Sequence, residues 1–119
     1  MLKSENRLKK RKEFAYLYNN GTAKHTANLT LVYLPTKNRL LKIGFSVAKK
    51  IGKAHMRNLV KRRLRAIVRD IVPNLPNNYN MVLIAKSGIE TLTFDELKRQ
   101  TYKVFNMTGL VNNVVKTDN

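Results

Sequence analysis

The segment from Lys49 to Arg69 constrains the fold most, because two patterns are superimposed on it. Nine of its residues are Lys or Arg, and none is Asp or Glu. On a 3.6-residue wheel its apolar residues gather on one side, which we call the apolar floor: Met56, Val60, Leu64, Ile67 and Ile71, flanked by Leu59 and Val68. The opposite side, the basic roof, holds Arg57, Asn58, Lys61, Arg62, Arg65 and Arg69. The pattern predicts a long helix that ends near Val72, because Pro73 cannot continue it.

The charge of this segment is unmixed, which is unusual for a solvated helix face. Such faces are normally stabilised by pairs of opposite charges three or four residues apart, and this segment has none. The whole chain carries 24 Lys and Arg against 7 Asp and Glu, a formal charge of +17, and six more cations lie within the first twelve residues. Repulsion of this size favours a polyanionic partner, of which nucleic-acid phosphates are the obvious example. An ordinary metabolic enzyme with a neutral surface is therefore not indicated.

The length and the residue types that are missing define the class of protein further. The 119 residues suffice for one domain, and the absence of cysteine excludes disulfides and cysteine-based zinc sites. No apolar run approaches the roughly 20 residues that span a bilayer, and Met1–Lys12 lacks the apolar part of a signal peptide. We expect a single cytoplasmic domain over residues 1–119 without a membrane partner. It would have a basic N-terminal arm over about residues 1–10 and a polar tail over about 110–119.

The first half of the chain predicts one helix followed by strands. Arg11–Asn20 carries Phe14, Leu17 and Tyr18 at helical spacing, and Gly21 stands where a left-handed cap is expected. Two apolar stretches separated by turn residues predict a hairpin-like strand pair over Leu29–Leu34 and Leu40–Val47, and Thr22–Thr26 is compatible with a further short strand.

The second half adds a strand and a helix. Tyr79–Lys86 has the composition of a buried strand, and Thr93–Glu96 has the form of a capping box that opens a third helix. The inward face of that helix is predicted to hold Phe94, Leu97, Thr101, Val104 and Phe105, with Gly109 near its end. The elements therefore predict an α+β sandwich in which helices pack on one small sheet.

The residues that could make this chain a catalyst are dispersed. A protein nuclease normally converges carboxylates on a divalent metal or uses paired histidines. The seven acids are scattered along the chain, and His25 and His55 lie far apart in sequence. Any chemistry associated with the chain is therefore expected to be carried out by its partner.

The segment Gly44–Arg65, GFSVAKKIGKAHMRNLVKRRLR, closely resembles the signature of the bacterial ribonuclease P protein subunit. In that family, a Gly-x-Ser/Thr-Val-x-Lys-Lys strand end precedes an Arg-Asn-Arg-x-x-Lys-Arg helix. The resemblance extends to Arg7–Lys10 with Glu13 and Phe14, to Gly21 and to Val82–Lys86, and it covers roughly residues 7–108.

Membership of this family would imply both a function and a fold. The partner would be a ribozyme, ribonuclease P RNA, which cleaves precursor tRNA to leave the mature 5′ end. Mg²⁺ would be held mainly by the RNA, and the protein alone would be inactive. No small-molecule substrate is implied. The fold would be an αβββαβα sandwich with a small mixed sheet and an uncommon left-handed crossover, as in one domain of a small-subunit ribosomal protein.

The resemblance also assigns site residues. Contacts with the catalytic RNA would come from Lys49, Lys50, Lys53, Arg57, Asn58, Lys61, Arg62, Arg65 and Arg69. Phe14 and Tyr18 of the first helix would bind the single-stranded 5′ leader, with Lys49 and Lys50 between the two surfaces. The family's leader-facing strand residue corresponds either to Tyr33, which would then bind the leader, or to Val32.

Two positions depart from the family pattern. Leu59 stands in place of the second Arg of the helix motif, so a packing contact is expected to replace a phosphate contact, and Arg63 is expected to compensate by reaching around the helix edge. Ala66 occupies a place often held by Glu, which removes an acid that could pair with the cations of the roof.

Two other functions are compatible with the composition. A basic ribosomal protein would have the same charge without any role in processing. A DNA-binding domain would place the long helix in a major groove, but recognition helices mix Asn, Gln and Ser among their cations, and this face is almost purely cationic.

Overall fold

The computed structural model of the chain describes residues 7–8, 10–37 and 39–111. In these residues, helices α1, α2 and α3 span Arg11–Asn20, Ala54–Ile71 and Phe94–Asn106, and strands β1 to β4 span Thr22–His25, Leu29–Pro35, Lys42–Ser46 and Tyr79–Ala85. Short 3₁₀ turns cover Lys49–Ile51, Val72–Asn74 and Ile89–Thr91. The predicted α+β class and the αβββαβα order are confirmed.

The four described strands form one mixed sheet in the order β1-β2-β4-β3. β2 runs antiparallel to both β1 and β4, whereas β3 runs parallel to β4 and is connected to it through α2. The predicted pairing of Leu29–Leu34 with Leu40–Val47 is wrong, because β4 lies between these strands and β2 forms its hairpin with β1. The physical reason is that β4 is apolar on both faces, so it is buried best between two neighbouring strands.

The sheet buries a different helix layer on each face. Met81, Leu83 and Ala85 of β4 belong to the main core beneath α2 and α3, whereas Val82 belongs to a smaller cluster on the other face. Leu17 of α1 fills that smaller cluster. Helix α1 and helix α2 therefore lie on opposite faces of the sheet.

Helix α2 confirms the predicted amphipathic pattern, with some changes in its details. Its buried residues are Val60, Leu64, Ile67, Val68 and Ile71. Met56 and Leu59 are only half-buried, and Val68, predicted at the flank of the floor, has no exposed surface. The helix ends at Ile71, and a 3₁₀ turn that contains Pro73 follows.

Helix α3 begins with the predicted capping box. The Thr93 hydroxyl accepts a hydrogen bond from the Glu96 backbone N–H at 3.1 Å, and the Glu96 carboxylate accepts one from the Thr93 N–H at 2.8 Å. These bonds lower the pKa of Glu96 below its ordinary value of 4.5. Phe94 was predicted to face inward, which is wrong, because it is 42% exposed. It is the first helical residue and precedes Leu97, where the buried face begins.

Gly21 corrects a second local expectation. Its φ of −83° and ψ of 168° are extended rather than left-handed. A Cβ atom at this position would lie 2.6 Å from Cγ1 of Val32 and 2.7 Å from the Leu17 carbonyl oxygen. Glycine is therefore required here for a close approach of the chain to β2. Gly109, just beyond α3, does adopt the left-handed conformation, with φ of +74°.

The ends of the described chain belong to the fold more than expected. Most of the predicted arm and tail, residues 1–6, 9 and 112–119, lie outside the described residues. Leu8, however, is buried, and its backbone N–H donates to the Ile43 carbonyl at 3.0 Å. Leu110 and Val111 pack against the main core. None of the described helices has the length and apolar character needed to cross a membrane.

Candidate nucleic-acid interface

The basic roof of α2 forms a cationic groove. The groove has a volume of about 400 Å³ and is lined by Asn58, Lys61, Arg62, Arg65, Ala66 and Arg69. Among the described residues, Arg69 is the only one of these cations within ion-pair distance of a carboxylate, with its Nε 3.9 Å from Asp70. The other cations of the groove are not neutralised by any described acid. Their charge is therefore available to an external anion.

A second concavity, which we call the aromatic cleft, lies beside α1. It has a volume of about 360 Å³ and is lined by Arg11, Phe14, Tyr18, Phe45, Ser46, Val47 and Lys61. The rings of Phe14 and Tyr18 lie 6.3 Å apart and are tilted by 49°. Tyr18 is 46% exposed, whereas Phe14 is half-buried against the smaller core cluster. The cleft thus offers two aromatic rings of unequal accessibility, with basic residues at its border.

The groove and the cleft adjoin each other. Lys61 lines both of them. Arg65 lines the groove, and its guanidinium lies 5.6 Å from the centre of the Phe45 ring, which lines the cleft. This distance permits a cation–π contact, which holds the Arg65 side chain at the boundary of the two surfaces.

The lysines predicted at that boundary lie elsewhere. Lys49 and Lys50 are exposed on the 3₁₀ turn after β3, and Lys53 is exposed at the N-cap of α2. None of the three lines the groove or the cleft. The expectation that Lys49 and Lys50 separate the two surfaces is corrected by the geometry, in which Lys61 and Arg65 occupy that place.

The uncertain register of β2 is now resolved. Val32 lies on the face of the sheet that is covered by α1, in the same cluster as Phe14. Tyr33 points to the other face, packs against the main core and contacts the ring of Tyr79 at 6.3 Å. The placement of Tyr33 beside Phe14 and Tyr18 is therefore wrong, because successive residues of a strand face opposite sides.

Three residues of α2 deviate from the simple roof. Arg57 is half-buried and does not line the groove. Leu59 is half-buried, in agreement with the packing role expected for it. Arg63 is also half-buried and is absent from the groove, so the groove itself gives no support for its expected compensation of Leu59.

Sequence reasoning did not assign Phe45 or Arg11 to the site. Phe45 was part of the quoted signature but appeared only as a residue of an apolar strand. Its position at the end of β3, two residues from Ile43 on the same face, could have indicated a ring beside the basic helix. Arg11 was interpreted either as part of a basic arm or as a specific contact, whereas it begins α1 and borders the cleft.

The described acids have structural partners. Glu13 lies 3.3 Å from Lys42, Glu90 accepts a hydrogen bond from the Gly88 N–H, and Glu96 caps α3. Within the ranges that the structure describes, no three His, Asp or Glu side chains cluster in a way that could hold a metal ion.

Comparison with known proteins identifies the family. The sequence model described as Ribonuclease P matches residues 2–109. The chain belongs to the ribonuclease P protein family. A ribonuclease P protein component from Streptococcus pneumoniae serotype 4 is 30% identical over 109 residues, which are 92% of this chain and 89% of that protein. This result favours the family over the alternative of a ribosomal protein.

Solved structures show the same fold. The ribonuclease P protein from Staphylococcus aureus superimposes with a TM-score of 0.84 at 22% identity, covering 90% of this chain and 98% of that chain. The protein from Thermotoga maritima gives a TM-score of 0.73 at 20% identity, covering 92% and 98%. The αβββαβα sandwich is thus shared by family members of low sequence identity.

Gly44, the first residue of the ribonuclease P signature in this chain, makes room for the aromatic cleft. A Cβ atom at this position would lie 2.6 Å from Cζ of Phe14 and 3.1 Å from Cβ of Leu8. The first contact is closer than real Cβ atoms approach, so an added methyl group would have to displace the ring. The glycine therefore sets the depth at which Phe14 sits over β3.

We predict that Gly44→Ala lowers the free energy of unfolding by about 1–3 kcal/mol, the usual cost of overpacking. The cost should be smaller in a Phe14→Leu background, because the residue that clashes with the methyl group is then shorter. Urea denaturation of the four members of this double-mutant cycle measures the coupling. Equal costs in the two backgrounds would show that Gly44 does not act through Phe14.

Proposed function

We propose that this chain is the RNA-binding and leader-binding subunit of ribonuclease P. In this proposal, the basic roof of α2 binds the catalytic RNA, and the aromatic cleft receives the 5′ leader of precursor tRNA. The complex then removes the leader by endonucleolytic cleavage. The observation that carries the proposal is the junction of groove and cleft through Lys61 in a member of this family.

The roof suits a structured RNA because its charge has few internal partners. Lys61, Arg62 and Arg65 lie on one helix face without a described carboxylate partner. Contacts with RNA phosphates would relieve the repulsion among these cations and release counterions from the RNA. Lys49, Lys50 and Lys53, which are exposed at the N-terminal end of α2, are proposed to extend this contact beyond the groove.

The cleft suits a single strand of RNA because it combines rings with cations. Unpaired bases stack on aromatic side chains, and the contribution depends little on base identity. Tyr18 presents an exposed ring with a polar edge, while Arg11 and Lys61 border the same space. A leader strand could therefore place a base on Tyr18 and its phosphates near the two cations.

The chemistry is assigned to the RNA partner. Phosphodiester hydrolysis by ribonuclease P would use Mg²⁺ that is held mainly by the RNA, and the protein would contribute binding and orientation. The described residues do not provide a donor set of three for a metal ion, so no step of the reaction is assigned to them. Glu13, Glu90 and Glu96 are already engaged in structural contacts.

Reconstitution tests the proposed function directly. The chain is combined with a bacterial ribonuclease P RNA, precursor tRNA and Mg²⁺, and the 5′ end of the product is mapped. We expect cleavage at the mature 5′ end by the reconstituted complex and none by protein freed of RNA. Cleavage by the RNA-free protein would contradict the assignment of catalysis to the RNA, and failure to assemble with the RNA would contradict the whole proposal.

A second prediction concerns the roof. Each phosphate contact that is lost should reduce the magnitude of the slope of log K against log salt by about 0.7 to 0.9. Replacing Arg62 and Lys61 by Gln together should therefore flatten the slope for the catalytic RNA by roughly 1.4 to 1.8, measured by filter binding at several salt concentrations.

The matched control for that measurement is Arg99→Gln with Lys103→Gln. Both residues are exposed on α3, and the pair removes the same net charge without altering the roof. We expect its slope to remain close to that of the parent. If the control flattens the slope as much as the roof variant does, net charge rather than the roof determines RNA affinity.

A third prediction concerns the leader. Tyr18→Ala should weaken binding of precursor tRNA to the holoenzyme by roughly 5- to 100-fold, because a stacked base contributes about 1–3 kcal/mol. Binding of mature tRNA, which has no leader, and assembly with the catalytic RNA should change little. Phe14→Ala is a poorer probe, since loss of its core contacts could cost about 3–5 kcal/mol of stability.

Tyr16→Ala on the same helix serves as the control, because Tyr16 is 63% exposed and does not line the cleft. If a folded Tyr18→Ala variant separates precursor from product as well as the parent does, the leader does not lie in this cleft.

A further inference from the structure

A third concavity lies at the outer edge of β3, between the groove and the cleft. We call it the edge pocket. It has a volume of about 270 Å³ and is lined by Arg7, Leu8, Ile43, Gly44, Phe45 and Arg65. Arg7 is brought to this place by a parallel bridge to Ile43, next to the hydrogen bond that joins Leu8 to the Ile43 carbonyl. The pocket therefore lies between two arginines that are distant in sequence.

Both arginines have the same unmet requirement. The Nε atoms of Arg7 and Arg65 are buried and have no hydrogen-bond partner, and the only other described side-chain atom in this condition is Oδ1 of Asn80. A buried donor without a partner is unfavourable, because it loses its bonds to water and gains none in return. Two such donors in the lining of one pocket indicate that a shared acceptor is missing.

The charges around the pocket specify the chemistry of that acceptor. Two guanidinium groups repel each other, and neither lies within ion-pair distance of a described carboxylate. Leu8, Ile43, Gly44 and Phe45 supply no charge to the lining. The contact between Arg65 and the Phe45 ring fixes one guanidinium while its Nε donor remains unused. An anion with several acceptor oxygens would satisfy both arginines at once.

We propose that the edge pocket binds one phosphate group through Arg7 and Arg65. Guanidinium groups match the geometry of phosphate oxygens and are preferred to lysine for that reason. Arg65 also lines the groove and Phe45 also lines the cleft, so a phosphate here would lie between the two proposed RNA surfaces. That the phosphate belongs to an RNA backbone rests on the proposed function, whereas the pocket itself does not.

Titration of the RNA-free chain with inorganic phosphate tests the pocket. The Nε–H signals of the arginines are followed by ¹⁵N NMR, and Arg7→Lys and Arg65→Lys assign the two signals, since each variant keeps the charge and removes the Nε donor. We expect both signals to shift with one common dissociation constant. Arg7→Lys should weaken phosphate binding roughly tenfold, the effect of one charged hydrogen bond.

Arg99→Lys on α3 is the matched control and should leave the dissociation constant unchanged. The pocket is overturned if the Arg7 and Arg65 signals do not move with phosphate, or if Arg7→Lys binds phosphate as the parent does. Because this titration contains no RNA, its result is independent of the reconstitution test.

The source of the phosphate is then determined with the reconstituted complex. Weaker assembly of the Arg7→Lys variant with ribonuclease P RNA assigns the phosphate to the catalytic RNA. Reduced discrimination between precursor and mature tRNA, with normal assembly, assigns it to the leader. If neither changes in a variant that has lost phosphate binding, the pocket does not hold an RNA phosphate.

Discussion

Burial of β4 on both faces is the constraint on which the rest of the structure depends. A strand with Met81 and Leu83 on one face and Val82 on the other needs apolar cover from both sides. Helices α2 and α3 cover one face, and α1 covers the other. Because the parallel neighbour β3 forms the edge of the sheet beside α2 and α1, side chains from the two helix layers meet around its outer edge. The proposed interface lies at that edge.

The division of labour within α2 follows from its sequence. The floor supplies core residues such as Leu64, while the roof carries charge that the described acids do not neutralise. Those acids are used elsewhere, with Glu13 at Lys42 and Glu96 at the start of α3. Stability is thus provided mainly by one side of the helix, and the other side is left free to bind an anionic partner.

Local patterns predicted the elements well and their mutual placement less well. The α2 periodicity, the Thr93–Glu96 cap and the boundaries of α1 are local properties, and the structure agrees with them. Strand order is not local, because the turn after β2 carries no information about the later strand that inserts beside it. The face occupied by Tyr33 and the close approach at Gly21 likewise depend on which strand pairs with which. Phe45 was overlooked for the same reason, since its role arises only when Arg65 packs against it.

The shared residues determine which functions can be separated by substitution. Lys61 borders both groove and cleft, and Arg65 connects the groove with the edge pocket. Changes at these two positions must therefore affect more than one contact at once, whatever the bound RNA segment. Arg62 lines the groove without lining the cleft, and Tyr18 lines the cleft without lining the groove. Energetic coupling between the two surfaces should consequently pass through Lys61, Arg65 and Phe45, because these residues touch both sides.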